Sequence, residues 1–169
     1  MKKLVLIPTL LTVVSTPLVS LVGCGKNQFK LTHTYTADYG HTFLRTEERV
    51  DLKAGVNYTA IINMADFDIP NGPAIDLEFW VCNEDIETED SLYGLISTAS
   101  VTVDDKQLEQ VDKQIDLTSD KFWIDNTFSD YSCLLIGNDS TTPTSIVKII
   151  FSLKEDVTQY YLISEYFPI

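Results

Sequence analysis

The sequence predicts an all-β domain, an antiparallel β-sandwich of about eight or nine strands with at most one short helix. Apolar and polar residues alternate in segment after segment, which is the period of a half-buried strand. Gly, Asp, Asn and Pro separate these segments at intervals of roughly 10 to 20 residues. No helical pattern recurs between them, so a parallel sheet built from β-α-β units is not expected.

The alternation is clearest from residue 75 to residue 82, where Ile75, Leu77, Phe79 and Val81 occupy one face. Weaker alternation or β-branched composition marks the other segments. The predicted strands cover residues 29–36, 41–52, 56–64, 75–82, 93–103, 131–136, 146–153 and 157–167.

One segment supports two interpretations. Asp104-Asp105 directly follows a β-branched run and can close a hairpin onto Gln107 and Leu108. Apolar residues within 105–117 also recur at helical spacing, with an aspartate available as N-cap. The hairpin is favoured, and a short helix remains the alternative.

The first 23 residues have the order of an export signal. Lys2 and Lys3 precede the uncharged run Leu4–Val22, and the small residue Gly23 follows. Such a run could also nearly span a bilayer, since a membrane-spanning helix needs about 20 apolar residues. The residues at its end decide between the two.

Leu21-Val22-Gly23-Cys24 resembles the lipobox of bacterial lipoproteins, where a signal peptidase cuts before the cysteine and its sulfur carries a diacylglycerol. A thiolate is the nucleophile that such acylation needs, and two acyl chains give stable anchoring. The resemblance implies that residues 1–23 are removed. Residues 24–28 then form a tether with lipidated Cys24, and residues 29–169 form the domain, which faces outside the cytoplasm at the cell membrane.

The chain is strongly acidic, with 25 acidic and 12 basic residues and a formal net charge of −13. Nucleic acid is excluded as a partner, because neutralising phosphates requires clustered Lys and Arg. The charge favours cations or basic partners and keeps the domain soluble.

Two further cysteines, Cys82 and Cys133, lie in strand-like segments. Outside the cytoplasm an even pair can form one disulfide, provided that the Cα atoms lie within about 7 Å. Each could equally serve as a small buried apolar residue.

A ten-residue stretch, Val50–Thr59, has the pattern apolar-x-Leu-x-Ala-Gly-x-x-Tyr-Thr. It resembles a strand-turn-strand unit of secreted jelly-roll and carbohydrate-binding-module-like sandwiches. In such a unit Leu52 packs inward, Gly55 takes the turn dihedral and Tyr58 closes the sheet edge. The resemblance implies a β-sandwich.

The sequence has no catalytic motif of a known type: no HExxH, no Gly-rich phosphate loop and no G-x-S-x-G. His33 and His41, on either side of the first predicted turn, are expected to be ordinary sheet residues. We therefore predict that the domain is not an enzyme. A hydrolase that uses acids from the loops is the competing hypothesis.

One loop has the composition of a calcium site. Asp66, Asp68 and Asn71 bring three oxygen-bearing side chains together, although the glycine stands at the seventh place and not at the sixth as in an EF-hand. Calcium is the one possible cofactor, and a solvated loop is the alternative. The acidic loop 83–90 is a second candidate.

Two tryptophans are the candidate ligand contacts. Trp80 falls on the polar face of its strand beside Glu78, and Trp123 lies near Lys121 and Asp125. Aromatic faces with neighbouring carboxylates and amides suit sugar rings. The alternative is that both tryptophans belong to the core. The predicted function is a non-catalytic binding or adhesion module for a glycan or a surface protein, and an architectural envelope lipoprotein is the alternative.

The lipobox gives the first testable prediction. When the full chain is expressed in a bacterium, Cys24→Ala should move the protein from the membrane fraction to the soluble fraction, because no acyl chain can be attached. Cys82→Ala is the matched control and should stay with the membrane. A Cys24→Ala protein that is cleaved and still fractionates with membranes would contradict the anchor.

Overall fold

The computed structural model describes residues 27–36, 42–67, 75–82, 95–112, 120–125, 133–138 and 142–168. These residues form 13 strands and one turn of 3-10 helix, Met64–Phe67, which confirms the all-β prediction. None of the helical structure in this part of the chain is long or apolar enough to cross a membrane.

The strands follow one another closely along the chain. In order they are β1 (Gln28–Leu31), β2 (His33–Thr36), β3 (Thr42–Arg45), β4 (Val50–Leu52), β5 (Tyr58–Asn63), β6 (Ile75–Cys82), β7 (Ile96–Val103), β8 (Lys106–Gln107), β9 (Glu109–Val111), β10 (Lys121–Asp125), β11 (Cys133–Asn138), β12 (Ile146–Leu153) and β13 (Val157–Pro168).

The strands form two sheets. The small sheet has five strands in the order β1-β5-β12-β7-β8. The large sheet has eight, in the order β2-β3-β13-β6-β11-β10-β9, with β4 paired to β13 beside this path. β12, the central strand of the small sheet, and β13, an interior strand of the large sheet, are consecutive in the sequence, and a short turn carries the chain from one sheet to the other.

The core lies between the two sheets. In β5, Tyr58, Ala60 and Ile62 are buried while the residues between them are half-buried, as the period of two predicts. Phe79 of the large sheet meets Phe151 of the small sheet edge to face, with ring centroids 5.2 Å apart. The chain therefore folds as a two-layer sandwich around one main apolar layer.

The strand count exceeds the predicted eight or nine because two predicted strands are divided, and because β8, β9 and β10 lie outside the eight predicted segments. The predicted strand 29–36 becomes β1 in the small sheet and β2 in the large sheet, and the chain changes sheets at Thr32, whose N–H donates to the Arg45 carbonyl at 3.1 Å. The predicted strand 41–52 similarly divides into β3 and β4. Alternation continues across such a bend, so the pattern alone does not reveal it.

The hairpin interpretation of the ambiguous segment is confirmed, and the helix interpretation is wrong for residues 105–112. Asp104 and Asp105 have φ of 48° and 65°, the left-handed conformation that a two-residue hairpin requires. β8 pairs back onto β7. The chain then crosses at the buried Leu108, whose N–H donates to the Val101 carbonyl at 2.9 Å, and enters the large sheet as β9.

Most strand pairs are antiparallel, as predicted, and two are parallel. β1 pairs parallel to β5, and β9 pairs parallel to β10. Both parallel pairs stand at a lateral edge, beside the points where the chain changes sheets. A strand that arrives from the other sheet need not reverse direction against its new neighbour, as a tight hairpin would force it to do.

The Leu108 crossing can be tested by truncation. Leu108→Ala should destabilise the domain by about 2 to 5 kcal/mol in urea unfolding, since a fully packed leucine leaves a cavity. Ile150→Thr is the matched control, because Ile150 lies in the same sandwich with 45% of its surface exposed, and its substitution should change the free energy of unfolding by less than about 0.5 kcal/mol. Equal losses in the two variants would contradict the role of Leu108.

Candidate functional site

A groove of about 310 Å³ opens at one end of the sandwich, where strand ends from both sheets meet. This volume is at the lower end of the range of small-molecule sites, roughly 300 to 1,000 Å³. Its lining residues are Ile96, Ser97, Gln110, Val111, Asp112, Trp123, Ile124 and Lys154.

Strand pairing explains why these residues meet. In the small sheet, Leu153 at the end of β12 pairs with Ile96 at the start of β7, which brings Lys154 beside Leu95. In the large sheet, β9 and β10 run parallel, and Val111 pairs with Trp123 near the ends of both strands. Because the sheets are stacked, these two sets face each other across the end of the core.

Trp123 is the one aromatic residue among the lining residues, and the register places its side chain on the outer face of the large sheet, beside the groove. Its side chain is half-buried, and its strand neighbours are the half-buried Val111 and Leu135. Around it the lining carries the hydroxyl of Ser97, the amide of Gln110 and two charged groups. An indole with several kinds of hydrogen-bonding group nearby can stack on a sugar ring and bind its hydroxyls.

The two charged residues of the groove, Asp112 and Lys154, are available to a ligand. The ion pairs between described residues use other groups, namely Lys53–Asp156, Lys106–Asp120, Lys121–Glu109 and Lys148–Asp105. Within the part of the chain that the structure describes, neither Asp112 nor Lys154 joins an ion pair. The groove thus offers one carboxylate and one ammonium group.

Hydrogen bonds hold the turn that carries Lys154 on both of its sides. The Asp156 carboxylate accepts hydrogen bonds from Lys53 Nζ and from the Ala54 N–H, both at 2.8 Å. The Lys53 hydrogen bond, followed by the one from Ala54, lowers the pKa of Asp156 below its ordinary value of 3.8. On the groove side, the Lys154 N–H donates to the Leu95 carbonyl at 2.8 Å.

Trp80, the other tryptophan that the sequence singled out, is buried with 5% of its surface exposed. It lies on the outer face of the large sheet in a second apolar cluster with Phe43, Cys82 and Ile163, and its ring centroid is 6.5 Å from that of Phe43. Trp80 and Trp123 share this face two strands apart, but only Trp123 lines the groove.

Next to this cluster, both arginines of the chain stack on one ring. The guanidinium carbons of Arg45 and Arg49 lie 4.4 Å and 4.8 Å from the centroid of Tyr161. Arg49 also donates to the Gln159 carbonyl at 2.9 Å. These cation–π contacts fix the long side chains over the sheet and shield part of its apolar outer face.

The fold also brings together two acids that the sequence could not single out. Glu78 and Glu165 are directly opposite each other on β6 and β13. Glu165 is only 4% exposed, so a substrate in solution does not reach it in this structure. The groove, in contrast, is open to solvent.

The predicted disulfide remains untested, because the Cys133 side chain lies outside the described residues. The register places Cys133 opposite Trp80, so Cys82 is its diagonal neighbour on the same face. Diagonal neighbours are typically 7 to 8 Å apart, about the upper limit for the Cα atoms of a disulfide, roughly 7 Å. The register therefore places the cysteines near each other without aligning them.

The other predicted site residues do not meet in the described structure. Asp66 lies in the 3-10 turn, where its Oδ1 accepts from Asn63 Nδ2 at 3.2 Å, whereas Asp68 and Asn71 lie outside the described residues. Among the residues described, no three His, Cys, Asp or Glu side chains cluster as metal ligands. The calcium site therefore stays a prediction, as does lipidation of Cys24, which also lies outside.

The histidines occupy an edge of the large sheet. His33 is exposed and pairs with Arg45. A turn in which Thr36 pairs with His41 would instead place His33 opposite Leu44. His41 lies outside the described residues.

Most of the groove was not predicted from the sequence. Ser97, Gln110, Asp112 and Lys154 come from three separate segments, and only long-range pairing brings them together. The one local indication is Lys154-Glu155-Asp156, a polar turn between two strongly alternating strands.

Comparisons with protein-family models, curated proteins and solved structures found no match to this chain. Functional inference therefore depends on the groove and on the sequence features given above.

The charge on Asp156 gives a pH-dependent prediction. Because folding lowers the pKa of Asp156, the ionised carboxylate stabilises the folded protein above pH 3.8. This stabilisation is lost as the pH falls through the lower pKa of the folded state. Asp156→Asn should therefore lower the melting temperature at pH 7, and the difference from the parent should vanish in strong acid. Glu155→Gln, the adjacent exposed acid, is the control and should show little effect at either pH. A deficit of Asp156→Asn that persists undiminished at pH 2 would contradict this assignment.

Proposed function

We propose that the chain is a membrane-anchored extracytoplasmic lipoprotein whose β-sandwich binds a saccharide in the groove beside Trp123. The observation that supports this proposal is that Trp123 borders a groove at the end of the sandwich whose lining includes Ser97, Gln110, Asp112 and Lys154. Loops and strand ends on such scaffolds commonly carry recognition.

The size and chemistry of the groove favour a short saccharide segment. A volume of about 310 Å³ accommodates one or two sugar rings and not an extended protein surface. Ser97 and Gln110 can both donate and accept hydrogen bonds, which matches hydroxyl groups that do the same. Trp123 supplies the apolar contact that such polar rings retain on one face.

The lining favours binding over catalysis. Asp112 is the one carboxylate among the lining residues, whereas most glycoside hydrolases use a pair that flanks the scissile bond. The half-buried Glu78 and the buried Glu165 lie opposite each other on the outer sheet face and not in the groove. A hydrolase remains the second candidate, since that pair would need only to become accessible.

The anchor is supported by the lipobox-like sequence that ends at Cys24. The strong negative charge complements it, because an acidic domain is not drawn onto anionic headgroups and stays exposed to its ligand.

A glycan array tests the proposal. The mature domain should be retained by a subset of oligosaccharides, and Trp123→Ala should weaken binding by about tenfold, since loss of an aromatic contact is worth on the order of 1 kcal/mol. Trp80→Phe is the matched control and should bind like the parent, because Trp80 lies outside the groove. Running the array with and without calcium also tests the predicted ion.

The other functions give different results on the same array. Release of shortened saccharides would indicate a hydrolase. Retention of nothing by the parent, together with equal melting temperatures of parent and Trp123→Ala, would favour a purely architectural lipoprotein and contradict the proposal.

A further inference from the structure

The groove and the first described residue of the domain lie at the same end of the sandwich. From this arrangement we infer that the groove is held close to the anchoring membrane, and that its ligand is a saccharide carried by a lipid of that membrane. The inference depends on the proposed function, both for the lipid on Cys24 and for saccharide binding.

The chain enters the domain beside the start of β5. β1 runs parallel to β5 with Gln28 opposite Thr59, and the Thr59 N–H donates to the Asn27 carbonyl at 2.8 Å. The Asn27 side chain also donates to the Asn57 carbonyl at 3.3 Å. These contacts fix the tether at the end of the sheet where β5 begins.

The strand directions show that the groove lies at this same end of the small sheet. β12 is antiparallel to β5, so its last residues lie beside the start of β5, with Phe151 opposite Tyr58. The end of β12 then pairs with the start of β7, with Leu153 opposite Ile96. Ile96 and the adjoining Lys154 line the groove, which therefore lies at the tether end of the small sheet.

Covalent geometry limits how far the groove can be from the membrane. From β1 to β7 the sheet spans three strand spacings, about 15 Å. Asn27 is the third residue after Cys24, and these three steps along the chain span at most about 11 Å when fully extended. The groove thus stays within on the order of 30 Å of a lipidated Cys24 however the domain tilts.

The opposite end of the sandwich lies farther from the tether. An eight-residue strand such as β6 or β7 is about 27 Å long, so that end is held away from the tether by a further strand length. A site that binds ligands from outside the cell is expected at this far end. The groove is instead at the near end, where headgroups of the same bilayer are the closest ligands.

Charge favours a saccharide as the recognised group. With a formal net charge of −13, the protein is repelled by an anionic lipid surface. Recognition of a membrane component at the tether end must therefore come from specific contacts such as those with Trp123, and a lipid-linked sugar provides them.

Energy transfer tests the position of the groove without any ligand. The full lipidated chain with Trp80→Phe keeps Trp123 as its one tryptophan and is placed in phosphatidylcholine vesicles that contain a dansyl-labelled lipid. Transfer from Trp123 to the dansyl groups should be strong. A flexible 20-residue Gly/Ser insertion between Lys26 and Asn27 adds about 25 Å of mean reach and should lower the transfer at least twofold. Equal transfer with and without the insertion would overturn the inference.

Binding in the same vesicles tests the source of the ligand. The oligosaccharide best retained on the array is offered to the lipidated protein either coupled to phosphatidylethanolamine in its own bilayer or free in solution. The change in Trp123 fluorescence should saturate at a total oligosaccharide concentration at least tenfold lower for the coupled form than for the free form, because the coupled form is confined near the groove. Equal concentrations for the two forms would overturn the inference.

The two proposals fail differently. If the mature domain without Cys24 binds the free oligosaccharide through Trp123 but the bilayer form gives no advantage, saccharide binding stands and the membrane source is wrong. If neither parent nor Trp123→Ala binds any array sugar, the proposed function itself is wrong, whatever the energy transfer shows.

Discussion

The contact between the central strands of the two sheets is the constraint on which the rest of the structure depends. β12 lies in the middle of the small sheet, and β6 and β13 lie in the middle of the large one. Phe151 and Phe79 meet there edge to face, in an apolar layer that includes residues from nearly every strand. Burying that layer supplies the main driving force for folding. It also brings the ends of β9 and β10 over the start of β7, which creates the groove.

The parts of the fold that the sequence predicts are those where burial is one-sided and continuous. Residues 75–82 and 146–153 form single strands with the predicted bounds, because each keeps one face on the core for its full length. The bend at Thr32 could not be predicted, since a strand that changes sheets keeps its alternation. β10 was missed for a different reason: Phe122 and Ile124 face the core while Trp123 between them is also apolar, so the segment has no alternation.

The candidate site was likewise predicted only in part from the sequence. The sequence singled out Trp80 and Trp123 alike, because each is an aromatic residue with acids nearby. The outer face of the large sheet proves to have its own apolar cluster, which takes Trp80 into the interior and leaves Trp123 at the rim. Which outward tryptophan is accessible thus depends on neighbours from other strands, such as Phe43 and Ile163, and no local pattern gives that information.

The order of the strands along the chain has a consequence for how the protein matures. β12 and β13, interior strands of the two sheets, are formed by residues 146–168 and are therefore synthesised after every other described strand. Until they arrive, β5 and β7 lack the strand that joins them, and β3 and β6 lack theirs. The earlier strands must wait as unpaired, aggregation-prone edges, and long-range pairings of this kind form slowly. A chain without β13 would lose an interior strand of the large sheet and not merely an edge, so β3 and β6 would have no common partner.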